Sequence, residues 1–476
     1  MEERHMDRKK TQLSAYCNDV LGAMDGVEIA QQIAARKISP SEAVRAAIDR
    51  ARKVNPTLNA IITEMFDQAL DQAKAPLPGP FAGVPSFIKD TDNVAGAPTS
   101  YGSRAVPMKI KKKSCGFVRQ FLSLGLICLG KSSLPEFGLT TTTEPVTLGA
   151  AHNPWNPEYS TGGSSGGSAA LVASGVVPLA HGNDGGGSVR IPASCCGLVG
   201  LKPTRGRLIK VDGSELMPVS ILNQGIVSRT VRDTAAFYAG AEKYYRNPKL
   251  PEIGHVLHPG KKRLRIGLFT DTPFGIPSHA ETAALVISTG ELCEKLGHTV
   301  TEIRSPFNEA MFADFWWYWG MMTFTIRFFG FYIVGRGFDK SKLGEWTVGL
   351  SRLFQKDILK TPIIIKRLKG YERTYNDLFK DFDILLNPTL SHPTPKLGYM
   401  GPDVPFDTAV ERVKNYCCFT PAQNVTGAPA ISLPMGFSKN GMPMGVQFAA
   451  TSGMERRLLE LAYEMEEARP WPLIRY

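Results

Sequence analysis

Residues 182–193 read Gly182-Asn183-Asp184-Gly185-Gly186-Gly187-Ser188-Val189-Arg190-Ile191-Pro192-Ala193, and a second run rich in glycine and serine, STGGSSGGS, fills residues 160–168. A helical stretch at 168–175 separates the two runs. Glycine tolerates positive φ angles and the close approach of other groups. The three glycines before Ser188 therefore allow backbone N–H groups to point toward one place, as a developing oxyanion requires.

A third segment, GVPSFIKD at residues 83–90, places Lys89 at the end of a short apolar run. A serine hydroxyl that attacks a carbonyl carbon needs a base. A lysine is a base only when it is uncharged, and burial lowers its pKa because desolvation disfavours the ammonium form. A lone lysine usually lies on the surface, but these flanking motifs favour burial of Lys89 near serine hydroxyls.

Strand-like and helix-like stretches alternate around these segments, which predicts an α/β layered architecture. We expect strands at 84–88, 126–129, 265–269, 384–386, 430–434 and 444–448. We expect helices through 26–73, after residue 115 and over 281–296. Ser41, which follows Pro40, is expected to cap the start of a helix.

Two other motif matches are rejected because of their surroundings. Residues 125–132, GLICLGKS, fit the P-loop pattern, but their variable positions are typical of a strand rather than a loop. Residues 162–166, GGSSG, fit the nucleophile elbow of α/β hydrolases, which needs a preceding strand, whereas residues 153–157 are turn formers. No histidine is an obvious triad partner, and no spacing typical of metal ligands is present.

Taken together, the three segments resemble the amidase signature family, and the resemblance extends over residues 26–476. It is strongest over 81–102 and 153–206, where GGSSGGS and GNDGGGSVRIPASCCGLVGLKPTRGR are highly specific. The resemblance implies one large α/β domain with a central mixed twisted sheet covered by helices on both faces. It also implies hydrolysis of carbon–nitrogen amide bonds, with no cofactor and no metal. Residues 1–25 are expected to be an extension that precedes this domain.

The resemblance also implies a Ser-Ser-Lys triad. Lys89 is the implied base, Ser164 the relay and Ser188 the nucleophile that forms an acyl-enzyme, and the family spacings of 75 and 24 residues are met. Ser164 is expected to follow a cis, non-proline peptide bond.

Further residues are expected to support the triad. The implied oxyanion hole is built from the N–H groups of Gly185, Gly186, Gly187 and Ser188. We expect Asp184 and Arg190 to form a structural ion pair behind the nucleophile. We expect Ser165 to hydrogen-bond within its loop.

Residues 312–332 contain eleven of the 44 aromatic side chains, and residues 336–373 carry ten Lys/Arg against four Asp/Glu, or +6 of the formal net charge of +11. One interpretation is an interfacial element with aromatic rings at the lipid headgroups and basic residues on anionic lipid. The other is a packed helical hairpin over the active site. Both place a helical, aromatic-rich cap insertion at about 307–375.

The substrate class stays open at this point. The aromatic composition resembles the fatty acid amide hydrolases, which implies hydrophobic or fatty-acyl amides at a membrane surface. The motifs HGNDGGGSVRIPAS and QNVTGAPAISLP, at 181–194 and 423–434, resemble the 6-aminohexanoate cyclic dimer hydrolases, which implies small, oligomeric or cyclic amides. The ammonia-producing chain of a glutamine amidotransferase and a non-enzymatic membrane-surface protein are the remaining alternatives.

The rest of the composition bears on location and partners. Eight cysteines without a CxxC pair predict reduced thiols and a reducing compartment. The charged N-terminus is not followed by an apolar region, and no run of about 18 apolar residues occurs. We therefore expect a cytoplasmic protein whose partners are a small-molecule amide and, in the interfacial interpretation, an anionic membrane surface. We expect no nucleic-acid partner, and a homodimer stays open.

Overall fold

The structure is a computed structural model, and it describes residues 12–474. Its strands are β1 Ile61–Glu64, β2 Pro85–Lys89, β3 Ile127–Ser132, β4 His152–Asn153, β5 Asn156–Ser160, β6 Leu179–Asp184, β7 Val199–Lys202, β8 Asn223–Ser228, β9 Arg265–Leu268, β10 Thr299–Glu302, β11 Ile384–Pro388, β12 Ala430–Phe437 and β13 Pro443–Ala449.

The helices follow the same alternation. They are α1 Gly26–Ala34, α2 Pro40–Leu58, α3 Phe66–Gln72, α4 Gly116–Leu122, α5 Gly166–Ala173, α6 Arg190–Cys196, α7 Val231–Tyr244, α8 Ala280–Lys295, α9 Glu309–Val334, α10 Glu345–Lys356, α11 Thr361–Asp377, α12 Phe406–Tyr416, α13 Pro421–Thr426 and α14 Glu455–Ala468.

Eight strands form the central sheet, in the order β10-β9-β11-β13-β12-β7-β8-β6. The β10, β9 and β11 strands are parallel, and the remaining neighbours pair antiparallel, so the sheet is mixed as expected. The α7, α8 and α14 helices cover one face, and α5 and α6 cover the other. This arrangement confirms the predicted single α/β domain with a helix layer on each face.

A small second sheet, β1-β3-β2, brings the predicted base to the edge of the central sheet. The β2 strand is buried along its whole length and lies beside β6. The hydroxyl of Ser86 donates to the Leu179 carbonyl at 2.8 Å, and the N–H of Lys89 donates to Nδ1 of His181 at 3.2 Å. These contacts fix the end of β2 against the strand that leads into the glycine-rich loop.

Several predicted element boundaries were wrong in informative ways. The stretch 26–73 is not helical throughout, because the short strand β1 interrupts it. The second helix begins at Pro40, and Ser39 rather than Ser41 is its N-cap, with a capping box to Glu42. Proline fits the first helical position because that position needs no N–H donor. The P-loop rejection was right, since 127–132 is the buried strand β3.

The prediction that no strand precedes the GGSSG motif was wrong. A short strand, β5, lies before residues 162–166, paired with β4 in a two-stranded ribbon. The nucleophile elbow is excluded instead by what Ser164 contacts, which is a lysine amine rather than a histidine.

The aromatic-rich region forms the packed hairpin of α9 and α10, with α11 beside it. Gly320 of α9 allows the close contact, because a Cβ there would lie 2.9 Å from the Leu350 carbonyl oxygen of α10. The first half of α9 is buried, but five large apolar residues at its end are exposed: Phe328, Phe329, Phe331, Tyr332 and Ile333. We refer to these five residues as the exposed tip of α9.

Residues 1–11 of the predicted N-terminal extension lie outside the described residues, whereas 12–25 lie along the domain. The N–H of Ala15 donates to the Ser174 carbonyl at 2.7 Å, and Arg50 pairs with Asp19. All eight cysteines are unpaired thiols, of which Cys17 is exposed and the other seven are buried. Within residues 12–474, no helix has both the length and the apolar character that crossing a bilayer requires.

Candidate active site

The Lys89 side chain is fully buried at the end of β2. Its amine donates to Ser164 Oγ at 2.7 Å and to Asn183 Oδ1 at 2.6 Å. Burial lowers the pKa of Lys89 from 10.5 to about 7, although the charges of Asp92 and Asp184 act in the opposite direction. A large share of this amine is therefore uncharged near neutral pH, as a base must be.

Ser164 lies in the loop before α5, and the Gly163–Ser164 peptide bond is cis, as expected. The loop at 136–138 covers its hydroxyl, because a Cβ on Gly138 would lie only 3.0 Å from Ser164 Oγ. The neighbouring Ser165 joins two loops: its hydroxyl donates to the Asn183 carbonyl and its N–H donates to the Ser188 carbonyl, each at 3.3 Å. Ser165 therefore bridges to the glycine-rich loop instead of bonding within its own.

Ser188 ends the glycine-rich loop that follows β6, two residues before α6 begins. Its side chain is nearly buried. Within the described part of the chain, the Ser188 hydroxyl makes no hydrogen bond to Ser164. Among the described residues, the structure thus has the lysine-to-serine contact of the predicted triad but not the contact between the two serines. Catalytic hydrogen bonds often close only when substrate binds.

Asp184 and Arg190 form the expected ion pair, with two contacts at 2.9 and 3.0 Å and both side chains fully buried. Burial alone would raise the pKa of Asp184, but Arg190 holds that pKa well below its usual range. The Asp184 carboxylate also accepts the N–H groups of Gly187 at 2.8 Å and Val189 at 3.1 Å. This ion pair shapes the glycine-rich loop from behind.

The predicted oxyanion donors differ in their availability. The N–H of Gly187 is engaged by Asp184, so it is not free to bind an oxyanion in this structure. Within residues 12–474, the N–H groups of Gly185, Gly186 and Ser188 have no protein acceptor. The glycine-rich loop therefore presents three of the four predicted donors.

The buried half of α9 packs directly on this loop. A Cβ on Gly186 would lie 2.8 Å from Cζ of Phe315, and one on Gly185 would lie 3.2 Å from the ring of Trp319. The Trp319 indole N–H also donates to the Leu139 carbonyl at 3.0 Å, next to the loop that covers Ser164. The cap helix α9 thus contacts both loops. This close contact explains why residues 185 and 186 are glycines.

Sequence reasoning did not identify two groups that shape the site. Asn183 lies within the quoted motif, but nothing in a single sequence distinguishes a lysine partner from a loop residue. Thr420 donates to the Gly186 carbonyl at 2.6 Å from 234 positions away, and it fills the space where a Cβ of Gly187 would lie. No local pattern reveals such a contact, because the fold alone brings the two positions together.

Two cavities adjoin these loops. A small apolar cavity is lined by Phe312, Phe315, Cys418 and Val425 among others, beside the glycine-rich loop. A larger cavity of about 400 Å³ is lined partly by charged residues, including Arg104, Glu136, Glu144, Lys342 and Glu345. Within residues 12–474, no group of three or more His, Cys, Asp or Glu side chains is arranged to hold a metal ion.

Comparison with known proteins places the chain among amide hydrolases. The family model described as Amidase matches residues 42–459. The protein named "Putative amidase AmiC" from Mycobacterium tuberculosis is 44% identical over 467 residues, with 98% of each chain covered. The 6-aminohexanoate-cyclic-dimer hydrolase of Pseudomonas sp. is 32% identical over 476 residues, covering 94% of this chain and 95% of its own.

Solved structures agree with these sequence matches. The structure of 6-aminohexanoate cyclic dimer hydrolase complexed with substrate has a TM-score of 0.86 and 30% identity, covering 94% of this chain and 98% of its own. Fatty acid amide hydrolase has a TM-score of 0.78 at 18% identity, covering 95% of this chain and 86% of its own, and so it shares the fold. These comparisons confirm the resemblance found in the motifs: the chain belongs to the Amidase family, the amidase signature hydrolases, and acts on amide bonds.

Proposed function

We propose that this amidase cleaves its substrate through an acyl-enzyme on Ser188, with Ser164 as relay and Lys89 as base. The observation that carries the proposal is the 2.7 Å contact between Ser164 Oγ and a fully buried amine whose pKa is lowered to about 7. Uncharged Lys89 takes a proton from Ser164 as Ser164 takes one from Ser188. The Ser188 oxygen then bonds to the amide carbon.

The remaining steps use the same groups. The carbonyl oxygen becomes an oxyanion beside the N–H groups of Gly185, Gly186 and Ser188. The proton returns through Ser164 to the leaving nitrogen as the carbon–nitrogen bond breaks. Water then gives up a proton along the same route and attacks the ester, which releases the acid and restores Ser188.

Active-site labelling and activity test these roles. A fluorophosphonate should modify Ser188, identified by mass spectrometry, and hydrolysis of an aryl acylamide should fall as pH drops below about 7, because Lys89 becomes protonated. Ser188→Ala and Lys89→Ala should each lose at least about 100-fold in kcat/KM, a typical size for removing a general base. Ser174→Ala, a buried serine outside the site, is the matched control. Labelling elsewhere, or a rate unchanged down to pH 5, would contradict the assignment.

For the substrate, we propose hydrophobic or fatty-acyl amides taken up at a membrane surface. The exposed tip of α9 supports this, since Tyr332 is 82% exposed and the basic charge of 336–373 follows it in the chain. Aromatic side chains beside basic residues are typical of interfacial segments.

Vesicle flotation tests the membrane part of the proposal. The protein should float with vesicles that contain phosphatidylserine, and the triple change Phe329→Ser, Phe331→Ser and Tyr332→Ser should abolish flotation. The control is Leu216→Ser with Leu257→Ser, which removes two apolar side chains that are 86% and 71% exposed but lie outside the cap. Flotation that survives the triple change would overturn membrane docking by this tip.

The second candidate is a hydrolase of small, oligomeric or cyclic amides. It is supported by the 32% identity to 6-aminohexanoate-cyclic-dimer hydrolase and by the charged lining of the larger cavity, which suits a substrate with an amine and a carboxylate at its ends. A panel of long-chain amides, short aryl amides, linear and cyclic oligoamides, and glutamine separates the candidates. Preference for oligoamides would replace the fatty-acyl proposal, and glutaminase activity would favour an amidotransferase component.

A further inference from the structure

The Lys89 amine has a second hydrogen-bond partner that the proposed proton route does not use. Asn183 accepts from the amine through Oδ1, and its Nδ2 donates to Thr91 Oγ1 at 2.8 Å. The Thr91 hydroxyl in turn donates to Asp92 Oδ2 at 2.8 Å. Three consecutive hydrogen bonds thus connect the amine to a buried carboxylate. In this orientation the Asn183 oxygen can accept from the amine in both its neutral and its ammonium form, since each form carries N–H donors.

The other oxygen of Asp92 leads back to the backbone of Lys89. Asp92 Oδ1 accepts from Gln224 Nε2 at 2.8 Å, and Gln224 Oε1 lies 2.8 Å from Nε2 of His181. Since an amide oxygen only accepts, Nε2 carries the proton, and Nδ1 is free to accept the Lys89 N–H at 3.2 Å. Burial lowers the pKa of His181 and favours this neutral form. The network therefore closes into a ring around Lys89.

The charge of Asp92 is not balanced by its surroundings. Asp184 is paired with Arg190, and Asp90 is paired with Lys131 at 2.6 Å. Asp92 is 4% exposed, and within residues 12–474 its nearest basic side chain in ion-pair range is the neutral His181, at 4.0 Å.

The other titratable groups around Lys89 and Asp92 do not neutralise the charge of Asp92 either. Burial raises the pKa of the Tyr101 phenol and the Cys115 thiol, so both are uncharged at neutral pH. Burial and the charge of Asp92 also raise the pKa of Asp212. One negative charge thus lies three hydrogen bonds from an amine that becomes positive whenever it accepts a proton.

We propose that Asp92 is the counter-charge for the Lys89 ammonium formed during turnover, and that Thr91 and Asn183 transmit this interaction while aiming the amine at Ser164. The inference rests on the proposed role of Lys89 as base. Asp92, Thr91 and Asn183 act through Lys89, so they are positioning residues. In a site shielded from water, such an interaction is far stronger than in bulk solvent.

Opposite shifts of the pH profile test the proposal. Asp92→Asn removes the negative charge and disfavours the ammonium, so the acidic limb of kcat/KM should move down by about one pH unit. The plateau rate should fall at least about tenfold. Asn183→Asp places a carboxylate against the amine, so the limb should move up by about one unit or more. A purely structural role would not give opposite shifts.

Asp25→Asn is the matched control, because Asp25 is also 4% exposed and contacts neither Lys89 nor its partners. The acidic limb of kcat/KM for Asp25→Asn should stay at the wild-type pH. If Asp92→Asn does not fold by circular dichroism, Thr91→Val decides, since it breaks the chain of hydrogen bonds and keeps the charge. A lower plateau rate supports the proposal, and a wild-type rate and limb overturn it.

An unshifted limb in folded Asp92→Asn also overturns the proposal. If Lys89 were not the base at all, the experiments would give a different result. Lys89→Ala would then stay active, or the wild-type enzyme would have no acidic limb.

Discussion

At the scale of single residues, the fully buried Lys89 amine is the feature on which the proposed chemistry depends. A buried amine is held uncharged by the same desolvation that makes its ammonium unstable in the protein. The proposed role of Lys89 as base and the stability of the fold therefore oppose each other at this position.

Lys89→Met should abolish activity and stabilise the fold more at low pH than at high pH. The folded-state pKa of about 7 lies below the unfolded value of 10.5, so the unfolded chain takes up the proton first as pH falls. The wild-type protein thus loses stability relative to the variant between about pH 10.5 and 7, by on the order of a few kcal/mol.

Chemical denaturation at pH 6.5 and 9.5 measures this difference. Lys74→Met, on an exposed side chain, should follow the wild-type protein at both pH values. Equal stabilisation by Lys89→Met at the two pH values would contradict the lowered pKa.

Which contacts were predictable depended on whether the family motifs imply them, not on how close the residues are in the sequence. The contact between Lys89 and Ser164 follows the triad that the family resemblance implies, and the ion pair of Asp184 with Arg190 was expected within the same motif. Engagement of the Gly187 N–H was not, since it depends on a carboxylate rotamer behind the loop. The role of Ser188 stays a prediction until its hydroxyl is shown to reach Ser164.

At the scale of elements, the main relationship is between the glycine-rich loop and the cap helix α9. Sequence composition revealed an aromatic segment, and it left a packed hairpin and an interfacial element as alternatives. The structure divides the segment: its first half packs on the loop, and its end is exposed. A helix of 26 residues is long enough to do both, which composition alone does not show.

Gly186→Ala should lower kcat/KM at least about tenfold, because its Cβ would lie 2.8 Å from Cζ of Phe315 and displace the donor N–H groups. The double variant Gly186→Ala with Phe315→Leu should recover part of the loss, since the shorter side chain leaves room. Gly370→Ala is the control, as a Cβ there meets nothing within 4 Å. No recovery in the double variant would mean that the loss has another origin.

Element boundaries were less predictable than element types. The β1 strand has only four residues, so the helical pattern of its neighbours hid it. The Ser39 cap was missed because a proline such as Pro40 fits both the position before a helix and the first helical position.

At the scale of the whole molecule, buried ion pairs connect parts of the chain that are distant in sequence. Arg207 contacts Glu242 of α7 and Glu455 of α14, each at 2.8 Å, and all three side chains are buried. These contacts join α14 to α7 through Arg207, which lies in the segment after β7. The family resemblance predicted the α/β layers, but such long-range pairs depend on packing that one sequence does not display.

Glu455→Ala should lower the free energy of unfolding by about 3–5 kcal/mol, since it leaves the buried Arg207 without one of its two carboxylates. Glu455→Gln should lose less, because it keeps a hydrogen-bond acceptor. Asp71→Ala, which breaks an exposed pair with Lys74, should be indistinguishable from wild type in the same urea titration. If Glu455→Ala were also indistinguishable from wild type, apolar packing alone would hold α14 in place.

The distribution of thiols gives the molecule a practical property. Because seven of the eight cysteines are enclosed and Cys17 alone faces solvent, a maleimide dye should attach at one defined position without any engineered site. The carboxylate of Asp19 accepts from that sulfhydryl at 3.2 Å, so coupling should be slow but single. A fluorophore placed there would report, on the native protein, whether it binds to a vesicle.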